Sequence, residues 1–588
     1  MWLPNSTSLG AGNDAALFLQ AAWRELFDPF TPDAYQPRLH NVQTLVVELT
    51  DIASRACQDS IWTKHVDHIK AELKAGLAEE ADLLAQLPEY KWQLQRILKS
   101  DSPLRIVTSC KLLNQRRGEY DHVLRQSTLS CRTNILEEKK RIYLGLRRLA
   151  TLAIHQAQED DDVLERLPDE SSSSDDVFDS ILGFAEQSIT TYNCVFAVNG
   201  RHSDVQSILR KIGFNLIGAH QLDATQVAQI HRANPEAHFV QIDIEARSVR
   251  SAVERSQQKL SLGVDLFNLY HNSLAFRVSD FVLVKKSGDQ DHTVFDVSEQ
   301  AFRRLYPRSR ASEQSIETLD MIANDRLEDR VLSALELHSL ALKSSEPRVR
   351  LVNLWSTLEC LAGCRHGSSI IERVLSLMTP LLIWRRVDKV VRYTAIAAQQ
   401  FGLHQGSTNF GSGFPRSNAR FVHPWDMMLT LSRPKNHPDI IFLLAFCRPH
   451  PLLVFRVNQL WHELHRPQRL RDKLIASENR LRWQICRIYR ARNLIVHAGE
   501  ETPHLRFLLD NLQYYCSVAI QRIIHGMKED KSWGVLESSE YWNAKSRYIV
   551  ESLEKTPDLL RVSDFFPLAQ LGDAPHPWPR LWPHAPGF

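Results

Sequence analysis

The sequence predicts a mainly α-helical chain with a smaller α/β module set into it. Three observations carry that reading. Apolar residues recur at three- and four-residue spacing through both ends of the chain, the period of helices with one packed face. Between residues 180 and 310 the pattern changes to short runs rich in β-branched and aromatic residues, bounded by turn formers. The chain has 588 residues, 43% hydrophobic and 24% charged, which is ordinary for a globular protein and long enough for more than one core.

Residues 1–157 are predicted to be a helical region with a basic surface. Residues 91–148 hold fourteen Lys/Arg against five Asp/Glu, interleaved with Ile106, Leu112, Leu113, Ile142 and Leu144. Such a surface can track phosphates, with Lys139, Lys140 and Arg141 as candidate RNA contacts. A solvated face balanced by acids elsewhere in the fold explains the same pattern. Residues 158–179 read as an acidic, Ser-rich linker. From 159 to 179 there are ten acids and one base, too little apolar surface to order the segment alone. A sharper alternative has this segment fold over the basic surface and compete with RNA.

Residues 180–310 form the α/β module. Strands are expected at 192–198, 238–244 and 281–284, the last followed by the turn-like Ser287-Gly288-Asp289. A helix is expected over 246–271, with Ala252, Leu260, Val264, Leu266 and Leu269 at helical period. Neither a GxGxxG nor a GxxxxGK[ST] motif is present, so no phosphate loop is read here.

Residues 311–530 turn helical again. One long helix is expected over 315–343, then a break and a new start at Pro347, a residue suited to a first helical turn. That next helix runs to Gly363 with Leu351, Leu354, Trp355, Leu358 and Leu361 on one face. Residues 364–468 look less regular, with a Gly/Ser-rich loop at 404–417, and helices follow over 470–496 and 504–527. Residues 531–588 are a C-terminal extension. Its tail past Gly572 has five prolines together with Trp578 and Trp582 and reads as extended.

A net charge of +2 selects no class of partner. Nine scattered cysteines, an odd number without framework spacing, fit a reducing compartment. Cys360 and Cys364 have no second close pair to complete a zinc site. No basic-then-apolar leader opens the chain, and no apolar run approaches the ~18 residues of a membrane span. The expectation is a cytoplasmic protein without a membrane segment, metal or other cofactor.

Chemistry concentrates in residues 487–499. Leu481, Ile485, Ile488 and Ile495 mark one helix face, and position 492 on that face is arginine. A charge on a packing stripe needs a partner or a task. His497 follows in the last turn before Gly499, four residues after Asn493, where the helix dipole favours a protonated imidazole. Histidine can move protons near neutral pH, and a nearby arginine can hold a phosphate and stabilise charge developing on it. Together they suit metal-independent attack of a ribose 2′-hydroxyl on the adjacent phosphate, leaving a cyclic phosphate. The spacing alone is weak evidence. Arg117 and His122 repeat it, and Arg416 and His423 come close. The Asn, the Gly and the amphipathic helix around Arg492 and His497 distinguish that pair.

RNLIVHAG, with Arg492, Asn493 and His497, resembles the RNxxxH motif of HEPN ribonucleases, and the helix over 350–363, with Trp355 and Glu359 one turn apart, looks like the first helix of ApeA-like HEPN domains. The α/β stretch over 242–270 resembles the region that often precedes such domains, whereas residues 1–157 match nothing recognised. The resemblance implies that 311–530 is a HEPN helical bundle and that two copies of the motif helix pair in a homodimer with one composite site. It also implies an endoribonuclease acting in bacterial anti-phage defence, as an abortive-infection effector or toxin. RNA, with tRNA among the candidates, is the expected substrate, and a phage-derived trigger or an inhibitory partner is the expected control. In this reading Arg492 clamps the phosphate and His497 is the general acid/base. Asn493 and Glu359 orient them, and Arg487 and Arg490 are further candidates for RNA contact. The residues also allow a non-catalytic HEPN interaction or sensor protein, or an RNA-binding regulator working through the basic surface. The middle of 364–468 is longer than a minimal HEPN domain needs.

Overall fold

The computed structural model describes residues 14–27, 40–155, 173–184, 189–199, 209–222, 238–271, 277–289, 292–296, 311–324, 326–344, 346–363, 369–383, 385–401, 403, 424–500, 505–530, 532–565 and 581. The expected loop at 404–417 lies outside these residues. So do the acidic linker before 173 and the tail past Gly572, apart from Leu581. The chain divides into two compact units. One comprises Met1–Leu152, Pro168–Ile181 and Arg310–Phe588, and the other Ala153–Leu167 and Leu182–Ser309.

The first unit is helical. Its N-terminal part holds α1 (Asp14–Phe27), α2 (Val42–Ala56), α3 (Thr63–Glu79), α4 (Ala81–Leu84), α5 (Pro88–Lys99), α6 (Pro103–Gln115), α7 (Arg117–Leu129) and α8 (Lys139–His155), followed by α9 (Ser174–Phe184). Local sequence explains several starts. Asn41 and Thr44 form a capping box at α2, and Pro88 and Pro103 occupy the first turns of α5 and α6. The expected boundary of the acidic linker at 179 falls inside α9. Ser173 and Asp176 bond reciprocally at its start, and Asp175 and Asp179 take the Arg132 guanidinium, with Nη1 of Arg132 2.9 Å from Asp179.

In chain order, α10 (Val249–His271) belongs to the second unit. The helical unit resumes with α11 (Ala311–Ala323), α12 (Asp329–Lys343), α13 (Pro347–Ala362), α14 (Ile370–Leu382), α15 (Arg385–Gln400), α16 (Pro424–Leu431), α17 (Pro438–Cys447), α18 (Pro451–Leu464), α19 (Pro467–Asn493), α20 (Leu505–Glu529), α21 (Val535–Lys555) and α22 (Val562–Phe565). The single helix expected over 315–343 is two helices. Leu327 is buried at the break, Arg326 donates to the Met527 carbonyl, and the Glu328 carboxylate accepts the Val535 amide at 2.6 Å. Residues 364–468 are more regular than expected. Pro424, Pro438 and Pro451 each open a helix, where a missing N–H costs nothing.

The main core gathers Trp355, Leu358, Met378, Ile488, Leu512 and Trp542, among others, from α13, α14, α19, α20 and α21. The extension assigned to 531–588 therefore supplies a helix of the bundle itself. The N-terminal helices belong to this same unit. α1 packs on α18, with Phe18 edge-on to Phe455 and the buried Glu25 carboxylate on Arg456, and α3 packs on α19. Residues 1–157 and 311–530, divided in the sequence reading, thus share one compact unit over the parts described.

The second unit holds a five-stranded, fully antiparallel sheet. Its strands are β1 (Thr190–Asn199), β2 (Asn215–Ile217), β3 (His238–Ala246), β4 (Arg277–Lys286) and β5 (Thr293–Asp296), in the order β2-β3-β1-β4-β5. Tyr192 pairs with Ile244 and Phe196 with Val240, so alternate residues of β1 line one face. α10 covers that face through Ala252, Val253 and Leu260. The opposite face buries the smaller set Val195, Ala197, Phe239 and Leu283. Among the described residues of either unit, no helix is long and apolar enough to cross a membrane.

Candidate active site

α19 carries the site because its apolar stripe fixes its rotation. Leu481, Ile485 and Ile488 are buried, and the stripe runs out at Arg492, whose side chain is 20% exposed. The helix then changes winding. Leu494–Ala498 is a π turn, and Gly499 closes it in the left-handed region at φ 64. Gly499 N–H donates to Ile495 O and Glu500 N–H to Leu494 O, each at 3.2 Å.

That turn brings the two expected reactive residues together. Positions five apart on an α-helix point about 140° away from each other. Winding to i+5 carries the fifth residue back toward the first. His497 accordingly lies over Arg492, with Arg492 Nη1 3.3 Å from His497 Nε2. An α-helical reading had placed His497 on the face of Asn493. In the structure Asn493 joins through Arg492, accepting from the same Nη1 at 3.2 Å. A guanidinium can only donate, so a hydrogen bond between these two nitrogens has Nε2 as its acceptor.

Glu359 reaches the pair from α13. Its Oε1 lies 4.0 Å from Arg492 Nη2 and accepts the Trp355 indole N–H at 2.6 Å. Trp355 is fully buried, so this bond aims a half-exposed carboxylate from a rigid base. Tyr489 stacks obliquely on Trp355, with centroids 5.3 Å apart, and also meets His65 of α3 at 6.0 Å. Arg492 Nε is buried and has no hydrogen-bond partner among the described residues. The Arg492 side chain lies beside an exposed imidazole.

Arg487 and Arg490, expected as RNA contacts, do not reach solvent. They are 6% and 3% exposed, and both are bonded to carboxylates of the N-terminal helices. Arg487 grips Glu48 of α2 with Nε and Nη2, and donates to Glu72 of α3 at 2.5 Å; Arg490 donates to Glu48. The correction has a simple cause. These cations sit on the helix face that α2 and α3 cover, and unpaired burial of a guanidinium is prohibitive. Burial pushes the Glu48 carboxyl up, but Arg487 and Arg490 outweigh it and hold the group well below the usual range. Glu72 is raised, because burial exceeds the pull of Arg487.

Lys140 and Arg141 are exposed at the start of α8, where Arg141 bonds Glu138 and Ser130. Lys139 is partly buried over the Phe18 ring, and burial lowers its pKa. Much of the basic charge nearby is already matched, Arg116 by Glu89 and Glu119, Arg148 by Asp82, and Arg132 by α9. These cations are not adjacent in sequence to the Arg492 pair, and among the described residues no hydrogen bond or ion pair joins them to it. No family model, no curated protein and no solved structure matches the chain.

Sequence reasoning missed the contribution of α2 and α3. Glu72 lies between Ile69 and Leu73 on the buried stripe of α3, a carboxylate on a packing face. Like Arg492, it is a charge on a packing stripe and needs a partner or a task. Arg55, in the last turn of α2, gives no such signal. Its partner is Glu500, whose carboxylate takes Nη1 at 2.9 Å and Nη2 at 2.5 Å. Among the described residues no group of three or more His, Cys, Asp or Glu side chains is arranged to hold a metal ion.

Proposed function

We propose that the chain is a HEPN-type endoribonuclease, in which Arg492 and His497 cleave RNA by attack of a ribose 2′-hydroxyl on the adjacent phosphate. The observation that supports this reading is the 3.3 Å approach of Arg492 Nη1 to His497 Nε2 at the exposed end of a helix. Nε2, with its lone pair free once Arg492 turns to a phosphate, takes the 2′-hydroxyl proton. The 2′-oxygen bonds phosphorus as the bond to the 5′-oxygen breaks, and a proton must reach that leaving oxygen. Arg492 balances the charge gathering on the phosphoryl oxygens through its terminal nitrogens. Glu359, steered by Trp355, holds Arg492 in register.

A second copy of α19, as the resemblance to dimeric HEPN proteins implies, would supply a second imidazole as the acid. On the same reading the protein acts in the cytoplasm as a defence effector or toxin held by a partner or released by a phage-derived trigger. The test is incubation of the full-length protein with total RNA and with tRNA in EDTA. Wild type is expected to cleave, and His497→Ala to leave the RNA intact while keeping its helical circular dichroism. Equal cleavage by the two proteins, or none by wild type, would sink the reading.

A further inference from the structure

The π turn has little to hold it in place. Of Leu494–Ala498 only Leu494 is buried, Ile495 is half-covered, and Val496 and His497 face solvent. Its backbone closes through Gly499 and Glu500, and the next attachment lies on a different helix. The Glu500 carboxylate, three residues beyond His497, is gripped by both terminal nitrogens of Arg55. Arg55 is itself set from two further sides. Its Nε donates to Asp51 one turn back at 3.1 Å, and its guanidinium lies 5.5 Å from the centre of the Trp62 ring. A planar fork fixed in this way presents one geometry to a carboxylate. The helix behind it is also anchored, because Glu48, seven residues earlier on α2, is locked to Arg487 and Arg490 on the body of α19. α2 thus grips α19 twice, once on the shaft and once just past the turn that carries the imidazole.

We propose that Arg55 and Glu500 are positioning residues for His497, their ion pair holding the π turn in the winding that sets the imidazole over Arg492. The N-terminal helices, for which the sequence suggested no role in the site, thereby become part of its support. The proposal rests on reading Arg492 and His497 as the reacting pair, but its structural half stands apart from RNA cleavage. The side chains are 23% and 42% exposed, so the pair contributes little to the stability of the whole fold and acts locally.

The experiment uses the full chain as wild type, Arg55→Ala, Glu500→Ala and the exchanged pair Arg55→Glu/Glu500→Arg. Amide hydrogen exchange is followed across residues 494–500, beside steady-state cleavage and Tm. Each single variant is expected to speed exchange there, to lower kcat roughly ten- to a hundred-fold with KM nearly unchanged, and to shift Tm by no more than about 2 °C. The exchanged pair is expected to recover both protection and kcat. Wild-type exchange in the single variants overturns the proposal, as does full kcat in Arg55→Ala when the wild type is active. If wild-type protein leaves all RNA intact, the ribonuclease reading fails alone, and the exchange across 494–500 still decides whether this ion pair holds the turn.

Discussion

Arg492 and His497 meet across a π turn, Nη1 to Nε2 at 3.3 Å, although regular α-helical winding would point them apart. The relationship makes the four intervening residues and the glycine that ends the turn part of the site.

Gly499 adopts φ 64, and a Cβ there would meet nothing within 4 Å, so the penalty for a side chain is conformational alone. Gly499→Ala is expected to cost about 1–2 kcal/mol, read by urea unfolding, and to reduce cleavage by disturbing the closing turn. Gly499→Asn, which enters the left-handed region more readily, is expected to recover most of both. Equal losses in the two variants would show that the left-handed stop is not what matters.

Arg487→Leu strands Glu72 beneath α19 and leaves Glu48 to Arg490 alone. The expected loss is about 3–5 kcal/mol, the usual result of breaking a buried ionic cluster from one side. Chemical denaturation checks this directly. An unchanged midpoint, or a loss confined to RNA affinity, would return Arg487 to the nucleic-acid surface from which its burial removes it.

The exposed cations at the start of α8 behave differently. Lys140→Ala and Arg141→Ala are expected to leave stability within about 0.5 kcal/mol. If RNA lies over this surface, each reduces the slope of log affinity against log salt by about 1. A filter-binding titration at several salt concentrations reads that slope. Unchanged slopes in both variants exclude these two residues as phosphate contacts.

His65 supplies a pH dependence. Burial first, then the nearby Arg490, lowers its pKa to about 3 from an ordinary value near 6.5. The unfolded chain therefore binds a proton that the folded chain refuses between these values. Stability from this group is complete above about pH 6.5 and is lost progressively as pH falls toward 3. His65→Gln is expected to flatten the decline in Tm between pH 7 and 5 relative to wild type. The other depressed histidines, His68, His338, His450, His462, His465 and His525, leave part of that decline in place.

The mainly α architecture and the α/β module were legible because both depend on local period. The strands around Tyr192, Val240 and Val282 and the stripe through Leu481, Ile485 and Ile488 lie where alternation and helical spacing put them. Glu359 was expected beside Arg492 through the resemblance of the helix over 350–363 to HEPN domains, and its Oε1 lies 4.0 Å from Arg492 Nη2. Other features turned on pairings between distant residues. Arg487 and Arg490 read as a solvent face because their partners, Glu48 and Glu72, lie more than 400 residues earlier in the chain. The π turn escaped notice for a different reason: helical spacing assumes one winding throughout. The segment 364–468 read as less regular, although Pro424, Pro438 and Pro451 stand where helices begin.

The most direct measurement of the central claim is the chemistry of the ends left on an RNA cleaved in EDTA by wild type, Arg492→Lys and His497→Ala. The account predicts 2′,3′-cyclic phosphate and 5′-hydroxyl ends from wild type. It predicts a loss of at least about a hundred-fold in His497→Ala and a marked loss in Arg492→Lys, whose ammonium lacks the fork. Ends bearing 3′-hydroxyl and 5′-phosphate, or wild-type rates in His497→Ala, would contradict it.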